Sequence, residues 1–211
     1  MKCAETVVSL KKSIPDAANS KQAASLLALA GLMPTNKANA IISVGATKGF
    51  STFYDYYMLQ AKAKAGDYQG AMNNIRDYWG GMLDMGTTTF WEDFDLDWKT
   101  NASRIDELVQ SGEIDIHANY GAYSYKKLRH SLSHGWASGP TSWLTEYVLG
   151  VQVLEPGCKV IRVQPHLGDL KFVEGTFPTP YGVVKMKHTR QANGKIITEI
   201  NAPKQVKVIK Q

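Results

Sequence analysis

The apolar period of this chain changes once, at Val151, and that change limits the architectures open to it. Upstream, apolar residues recur at helical spacing between capping and stopping residues; downstream they alternate, as on half-buried strands. Ser20 is placed to cap a helix over residues 21–30, where Ala24, Leu27 and Ala28 share a face and Gly31 with Pro34 stops it. A second helix is expected over 50–65, with Phe53, Tyr57 and Leu59-Gln60-Ala61 turned inward. Gly66-Asp67 then reverses the chain, and Asp67 caps a helix over 68–79 that Gly80-Gly81 ends. Further helices are expected over 123–133 and over 141–149, the latter with Pro140 in its first turn and Gly150 after its last. The strands expected are 160–163, 170–177, 182–189, 195–200 and 206–209, with Asn193-Gly194 as the strongest hairpin signal. The fold class is therefore α+β: helical hairpins over 1–150 and a small antiparallel β domain over 151–211. Helical hairpins in such an array expose an apolar face at both ends. The chain thus reads as a homo-oligomer through that face or as a fragment of a larger helical barrel.

Composition narrows the function. With 44% hydrophobic and 20% charged residues, the 211-residue chain reads as an ordinary soluble globular protein. No apolar run approaches the ~18–20 residues of a membrane span. The opening residues Met1 to Thr6 begin an amphipathic segment and do not resemble a signal peptide. Cys3 and Cys158 match no metal or redox spacing and read as two reduced, half-buried thiols. The net charge of +5 is concentrated downstream: residues 151–211 hold 10 Lys and Arg against 4 Asp and Glu. Those lysines alternate with apolar residues, as in Val184-Lys185-Met186-Lys187, which describes the solvent face of a sheet better than a nucleic-acid surface.

The chemistry is concentrated in residues 86–98, Gly-Thr-Thr-Thr-Phe-Trp-Glu-Asp-Phe-Asp-Leu-Asp-Trp. A packed core has no use for this mixture, because each carboxylate is costly to bury without a partner. A sugar site does: aromatic faces stack on pyranose rings, and carboxylates accept hydroxyl hydrogen bonds and move protons. Other chemistries fail on spacing. Counted from Asp93, an EF-hand would need Gly and Glu where Trp98 and Arg104 stand. His117, His130, His166 and His188 form no pair at zinc spacing. Neither a Gly-x-Ser-x-Gly elbow nor a phosphate-binding loop occurs. No cofactor and no metal are expected.

Three stretches, taken in order, resemble a known family. Gly86-Thr87-Thr88-Thr89-Phe90-Trp91-Glu92 looks like the Gly-Ala-Thr-Thr-x-Trp-Glu motif of the bacterial α-L-rhamnosidases, glycoside hydrolase family 78. Ser131-Leu132-Ser133-His134-Gly135-Trp136, followed by Trp143-Leu144 and Gly150, is similar to that family's Ser-Leu-Asn-His segment and the helix after it. Leu154-Glu155-Pro156-Gly157 through Val163-Gln164-Pro165-His166-Leu167-Gly168 looks like the start of its C-terminal β domain. The resemblance implies the later helices of an (α/α)6 barrel, carrying the catalytic loop, followed by a β-sandwich. It implies inverting hydrolysis of terminal α-L-rhamnosides, with Glu92 on the family's general base and His134 on a histidine that contacts the sugar. Asp93-Phe94-Asp95 stands where the family commonly has Arg-Trp-Asp, and its upstream acid-bearing motif has no counterpart in residues 1–211. The resemblance also favours a periplasmic or extracellular address over a cytoplasmic one.

Each candidate has a plainer reading beside it. Glu92 is either the base or a carboxylate pairing inside its own loop; His134 is either a sugar ligand or a satisfied core histidine. Trp91 either shields Glu92 or is simply core, and Trp79 and Trp136 are stacking candidates or packing residues. Asp95 is expected to make structural hydrogen bonds near the site. Against the hydrolase stand a carbohydrate-binding protein of the same fold without catalysis, a hydrolase of another glycoside, and a helical scaffold. The scaffold predicts that Glu92, His134 and Trp136 do not cluster.

Overall fold

The computed structural model describes residues 13–116 and 130–211, and the chain divides into two compact units between Gly139 and Pro140. Cys3, His117 and most of the helix expected over 123–133 lie outside the described residues.

The described residues of the first unit form four helices: α1 (Lys21–Leu29), α2 (Thr35–Ser43), α3 (Asp55–Lys64) and α4 (Tyr68–Asp84). Ser20 caps α1 by accepting from the Ala23 amide, and Asp67 caps α4 by accepting from Gly70, as their positions predicted. Sequence reading found no helix at α2: Pro34 reads as a stop for α1, but it also occupies the N-cap position of the next helix. Residues 50–54 form turns instead of helix, so α3 starts five residues later than expected and Phe53 stands 42% exposed. α1 packs on both α2 and α3, and α4 packs on α3.

Gly80-Gly81 does not end α4. Gly81 keeps helical backbone, and a Cβ there would meet the Leu96 side chain at 2.5 Å and the Phe94 ring at 3.0 Å. The glycine lets the acidic-aromatic loop lie directly on the helix. The helix stops one turn later, where Gly86 takes φ +84°. There the Gly86 amide bonds to Leu83 and the Thr87 amide to Met82, a Schellman closure.

The second unit opens within α5 (Gly139–Trp143), which is continued by a π turn over Leu144–Val148 that ends at Gly150 with φ +80°. Six strands follow: β1 (Val151–Val153), β2 (Val160–Val163), β3 (Phe172–Thr179), β4 (Gly182–Arg190), β5 (Ile196–Asn201) and β6 (Lys207–Lys210). They form two sheets, ordered β1-β2-β6 and β3-β4-β5. All pairs are antiparallel except β2 with β6, which run parallel, so the expectation of an antiparallel domain is corrected there. Inward residues of both sheets, Val151, Ile161 and Val163 with Val184 and Met186, share one core with Leu149 and Val206. Lys185 and Lys187 take the opposite, exposed face of β4, as the alternation predicted.

His188 continues that inward face and is fully buried. Its Nε2 lies 3.1 Å from the Leu149 carbonyl and its Nδ1 2.9 Å from the Thr198 hydroxyl. These partners suit the neutral ring, with the proton on Nε2. Burial lowers its pKa, partly countered by the Leu149 carbonyl, and burial lowers that of His166 as well. Below the unfolded imidazole value of about 6.5, the unfolded chain binds more protons than the folded one. Stability is therefore expected to be full above that pH and to fall as the pH drops below it. Thermal unfolding between pH 8 and pH 5 checks this: His188→Gln should flatten the slope in part, leaving the share due to His166. An unchanged slope would mean that His188 takes up its proton equally in the folded and the unfolded chain.

Candidate functional site

The two motifs singled out in the sequence, 86–92 and 131–136, lie side by side. Released from α4 by the Gly86 closure, the threonine loop turns on itself through the Thr87 hydroxyl, which donates to the Thr89 carbonyl at 2.5 Å. The Thr89 hydroxyl donates to the Leu132 carbonyl. The His134 amide donates to the Phe90 carbonyl at 2.7 Å, and the Glu92 amide to the Ser131 carbonyl at 2.8 Å. Main-chain bonds thus bring Glu92 and His134 together from positions 42 residues apart in sequence.

The Glu92 carboxylate is held at one end and presented at the other. Its Oε2 accepts the Ser131 amide at 3.0 Å, while Oε1 lies 3.9 Å from His134 Nδ1. The Glu92 side chain is 10% exposed and that of His134 is 32% exposed. The Trp136 indole N–H donates to the Glu92 carbonyl at 2.9 Å, and the Trp136 ring lies 4.2 Å from the His134 ring, centre to centre. Phe53 adds a further ring at 5.8 Å from Trp136. Trp136, Phe53 and Tyr54 are all exposed, an aromatic surface beside a carboxylate and an imidazole. Glu92, His134 and Trp136 therefore form one cluster.

The other candidates sit differently. Trp91 is fully buried, with Phe94 at 5.6 Å and His130 at 6.5 Å around its ring, and offers no open face for stacking. Trp79 is also buried; its N–H donates to the Ala137 carbonyl at 2.8 Å. Its ring lines an apolar cavity of about 230 Å³ together with Met82, Leu83 and residues 87–90. Asp95 is exposed and caps the short 3-10 helix Leu96–Thr100 by accepting from the Asp97 amide at 2.9 Å. Asp93 accepts from the Phe94 amide, so the alternating aspartates serve local turns. Among the described residues no three His, Cys, Asp or Glu side chains converge as metal ligands.

Two groups in the site carried no signal in the sequence. The Thr52 hydroxyl donates to the Glu92 carbonyl, from 40 positions upstream. Asp55, in the first turn of α3, is fully buried and accepts from the Ser51 amide at 2.7 Å. Burial drives its pKa well above the usual carboxylate range, with the Ser51 amide and the Lys21 ammonium acting the other way. His130, also buried, places Nε2 2.9 Å from the Asp93 carbonyl and its ring against Trp98.

Residues 150–209 match the family described as the bacterial alpha-L-rhamnosidase C-terminal domain. No curated protein sequence matches the chain. Several solved structures share its fold. The rhamnosidase of family GH78 from Bacillus sp. GL1 superposes with a TM-score of 0.66 at 22% identity, over 91% of this chain and 19% of its own. The native rhamnosidase from Aspergillus terreus gives 0.69 at 18% identity, over 98% of this chain and 24% of its own. The Streptomyces avermitilis α-L-rhamnosidase, solved with L-rhamnose, gives 0.65 at 16% identity, over 90% of this chain and 18% of its own. At these identities the likeness is one of fold, and the chain spans roughly a fifth of the length of the structures it matches. Residues 150–209 are thus similar to the C-terminal domain of the bacterial α-L-rhamnosidases, and the chain shares its fold with the matched C-terminal part of the solved rhamnosidases.

Proposed function

We propose that this chain is the C-terminal portion of an α-L-rhamnosidase-like glycoside hydrolase. In this reading α1 to α5 are later helices of an (α/α)6 barrel and the strands form the β-sandwich that follows it. Glu92 is the general base of an inverting reaction. Its Oε1 takes a proton from a water beneath the anomeric carbon while a carboxylic acid from an upstream segment protonates the leaving oxygen, ~6.5–9.5 Å away. His134 binds a sugar hydroxyl and Trp136 stacks on the apolar face of the ring.

The observation that carries the proposal is the state of Glu92. One oxygen is anchored by a main-chain amide, and the other faces an imidazole under a rim of exposed aromatic rings. A general base must be fixed in direction yet reach solvent, and this carboxylate meets both conditions. The similarity of residues 150–209 to the rhamnosidase C-terminal domain and the L-rhamnose bound by the Streptomyces structure support a rhamnoside as the substrate class.

The protein extended upstream is expected to hydrolyse an aryl α-L-rhamnoside with release of β-L-rhamnose, followed by NMR. Residues 1–211 alone are expected to be inactive, because the acid and the rest of the barrel wall lie elsewhere. Turnover by the isolated chain, or release of α-L-rhamnose, would overturn the mechanism. Sugar binding without turnover in the extended protein would point to a carbohydrate-binding role for the same cluster.

A further inference from the structure

We infer that Thr52 is the positioning residue for Glu92, acting through the Glu92 main chain; this rests on Glu92 being the base. The Glu92 carbonyl accepts two side-chain hydrogen bonds, from the Thr52 hydroxyl and the Trp136 indole. The indole is exposed and belongs to the aromatic rim, whereas Thr52 is only 2% exposed and comes from the turn that leads into α3. It is therefore the one buried side chain among these two donors, and the one whose place is set by the helical framework.

The turn holding Thr52 is itself pinned. The Asp55 amide donates to the Ser51 carbonyl at 3.0 Å, and the Ser51 amide donates back to Asp55 Oδ1 at 2.7 Å. These reciprocal bonds close residues 51–55 into a ring around Thr52. The closure carries a cost, because Asp55 Oδ2 and Ser51 Oγ are buried without a hydrogen-bond partner among the described residues. Breaking a local rule in this way is typical of positions where geometry matters more than stability. Here the geometry maintained is that of a hydroxyl directed at the main chain of the base.

The consequence is directional. The Ser131 amide fixes where Oε2 sits, but the tilt of the Glu92 peptide decides where Oε1 points. Without the Thr52 hydroxyl the carbonyl keeps only the solvent-side indole, and Oε1 drifts relative to the water it must deprotonate. Misplacement of a catalytic group by ~1 Å costs up to ~100-fold in rate.

The experiment uses the upstream-extended protein on an aryl α-L-rhamnoside, with Thr52→Val, Thr52→Ser and Glu92→Gln side by side. Thr52→Val keeps the shape and removes the donor. It is expected to lower kcat about 10- to 100-fold with KM within about twofold and the melting temperature retained. Thr52→Ser should restore kcat to near the wild-type value, which a merely structural role for the methyl group would not produce. Should the valine variant fail to fold, Thr52→Ala replaces it, with the same contrast to serine expected. If Glu92→Gln is inactive while Thr52→Val keeps wild-type kcat, the positioning role is wrong and the base survives. If wild type or Glu92→Gln shows that Glu92 carries no chemistry, the inference falls together with the reading beneath it.

Discussion

Glu92→Gln is expected to reduce kcat of the upstream-extended protein on an aryl α-L-rhamnoside by on the order of a thousandfold, within the range of general base catalysis. The geometry makes this substitution unusually clean. The glutamine carbonyl can still accept the Ser131 amide, the bond now made by Oε2 at 3.0 Å, so the loop retains its anchor. What it loses is the capacity to take a proton at the atom facing His134. Folding and KM should therefore change little while kcat collapses, the pattern of an interaction made in the transition state. The plainer role, a carboxylate pairing inside its loop, predicts the opposite: near-normal turnover in a variant that keeps the pairing. Equal kcat values for the two proteins would assign Glu92 to that structural role.

Much of this site was legible because its two halves are each local. Residues 86–98 announced themselves by composition, and 131–136 by resemblance, without any knowledge of how the chain brings them together. The caps at Ser20 and Asp67 and the hairpin at Asn193-Gly194 were equally local, and all three hold in the structure. The failures share a different cause. Gly80-Gly81 reads as a helix stop unless one knows that Phe94 and Leu96 press on Gly81. Trp91 beside Glu92 reads equally as a shield or as core, and only the packing of distant segments around it reveals that it is fully buried. Thr52 sits 40 residues before the group it bonds, at no helical or strand period from it. β6 returns beside β2 in parallel, a pairing that no alternation within either strand encodes. Local chemistry can be read from spacing; close approach between distant segments cannot.

The largest stability effect is expected at Asp67. Lys62 lies on α3 with its side chain only 3% exposed, and all three of its ammonium donors are used. They reach Asp67 Oδ2 at 2.7 Å, Ser43 Oγ at 2.8 Å and Asn39 Oδ1 at 3.2 Å, joining α2, α3 and the cap of α4. Burial pushes the Asp67 carboxyl up, but Lys62, Asn39 and the Gly70 amide outweigh it and hold the group below the usual carboxylate range. Its contribution is therefore present above the unfolded value and lost as the pH falls below it. Asp67→Ala removes the helix cap and leaves the Lys62 ammonium buried with neutral partners alone. Loss of one partner from a fully buried pair costs about 3–5 kcal/mol; with Asp67 itself 28% exposed, a smaller loss of about 2–3 kcal/mol is expected. Lys62→Met is expected to cost less, because it removes the buried charge along with the contacts and leaves Asp67, 28% exposed, still capping α4. Chemical denaturation followed by far-ultraviolet circular dichroism gives the order. Asp67→Ala falling furthest means that the uncompensated charge dominates. The reverse order means that the bonds from Lys62 to Ser43 and Asn39 matter more than its charge, and α2 is then held to α3 mainly by those bonds.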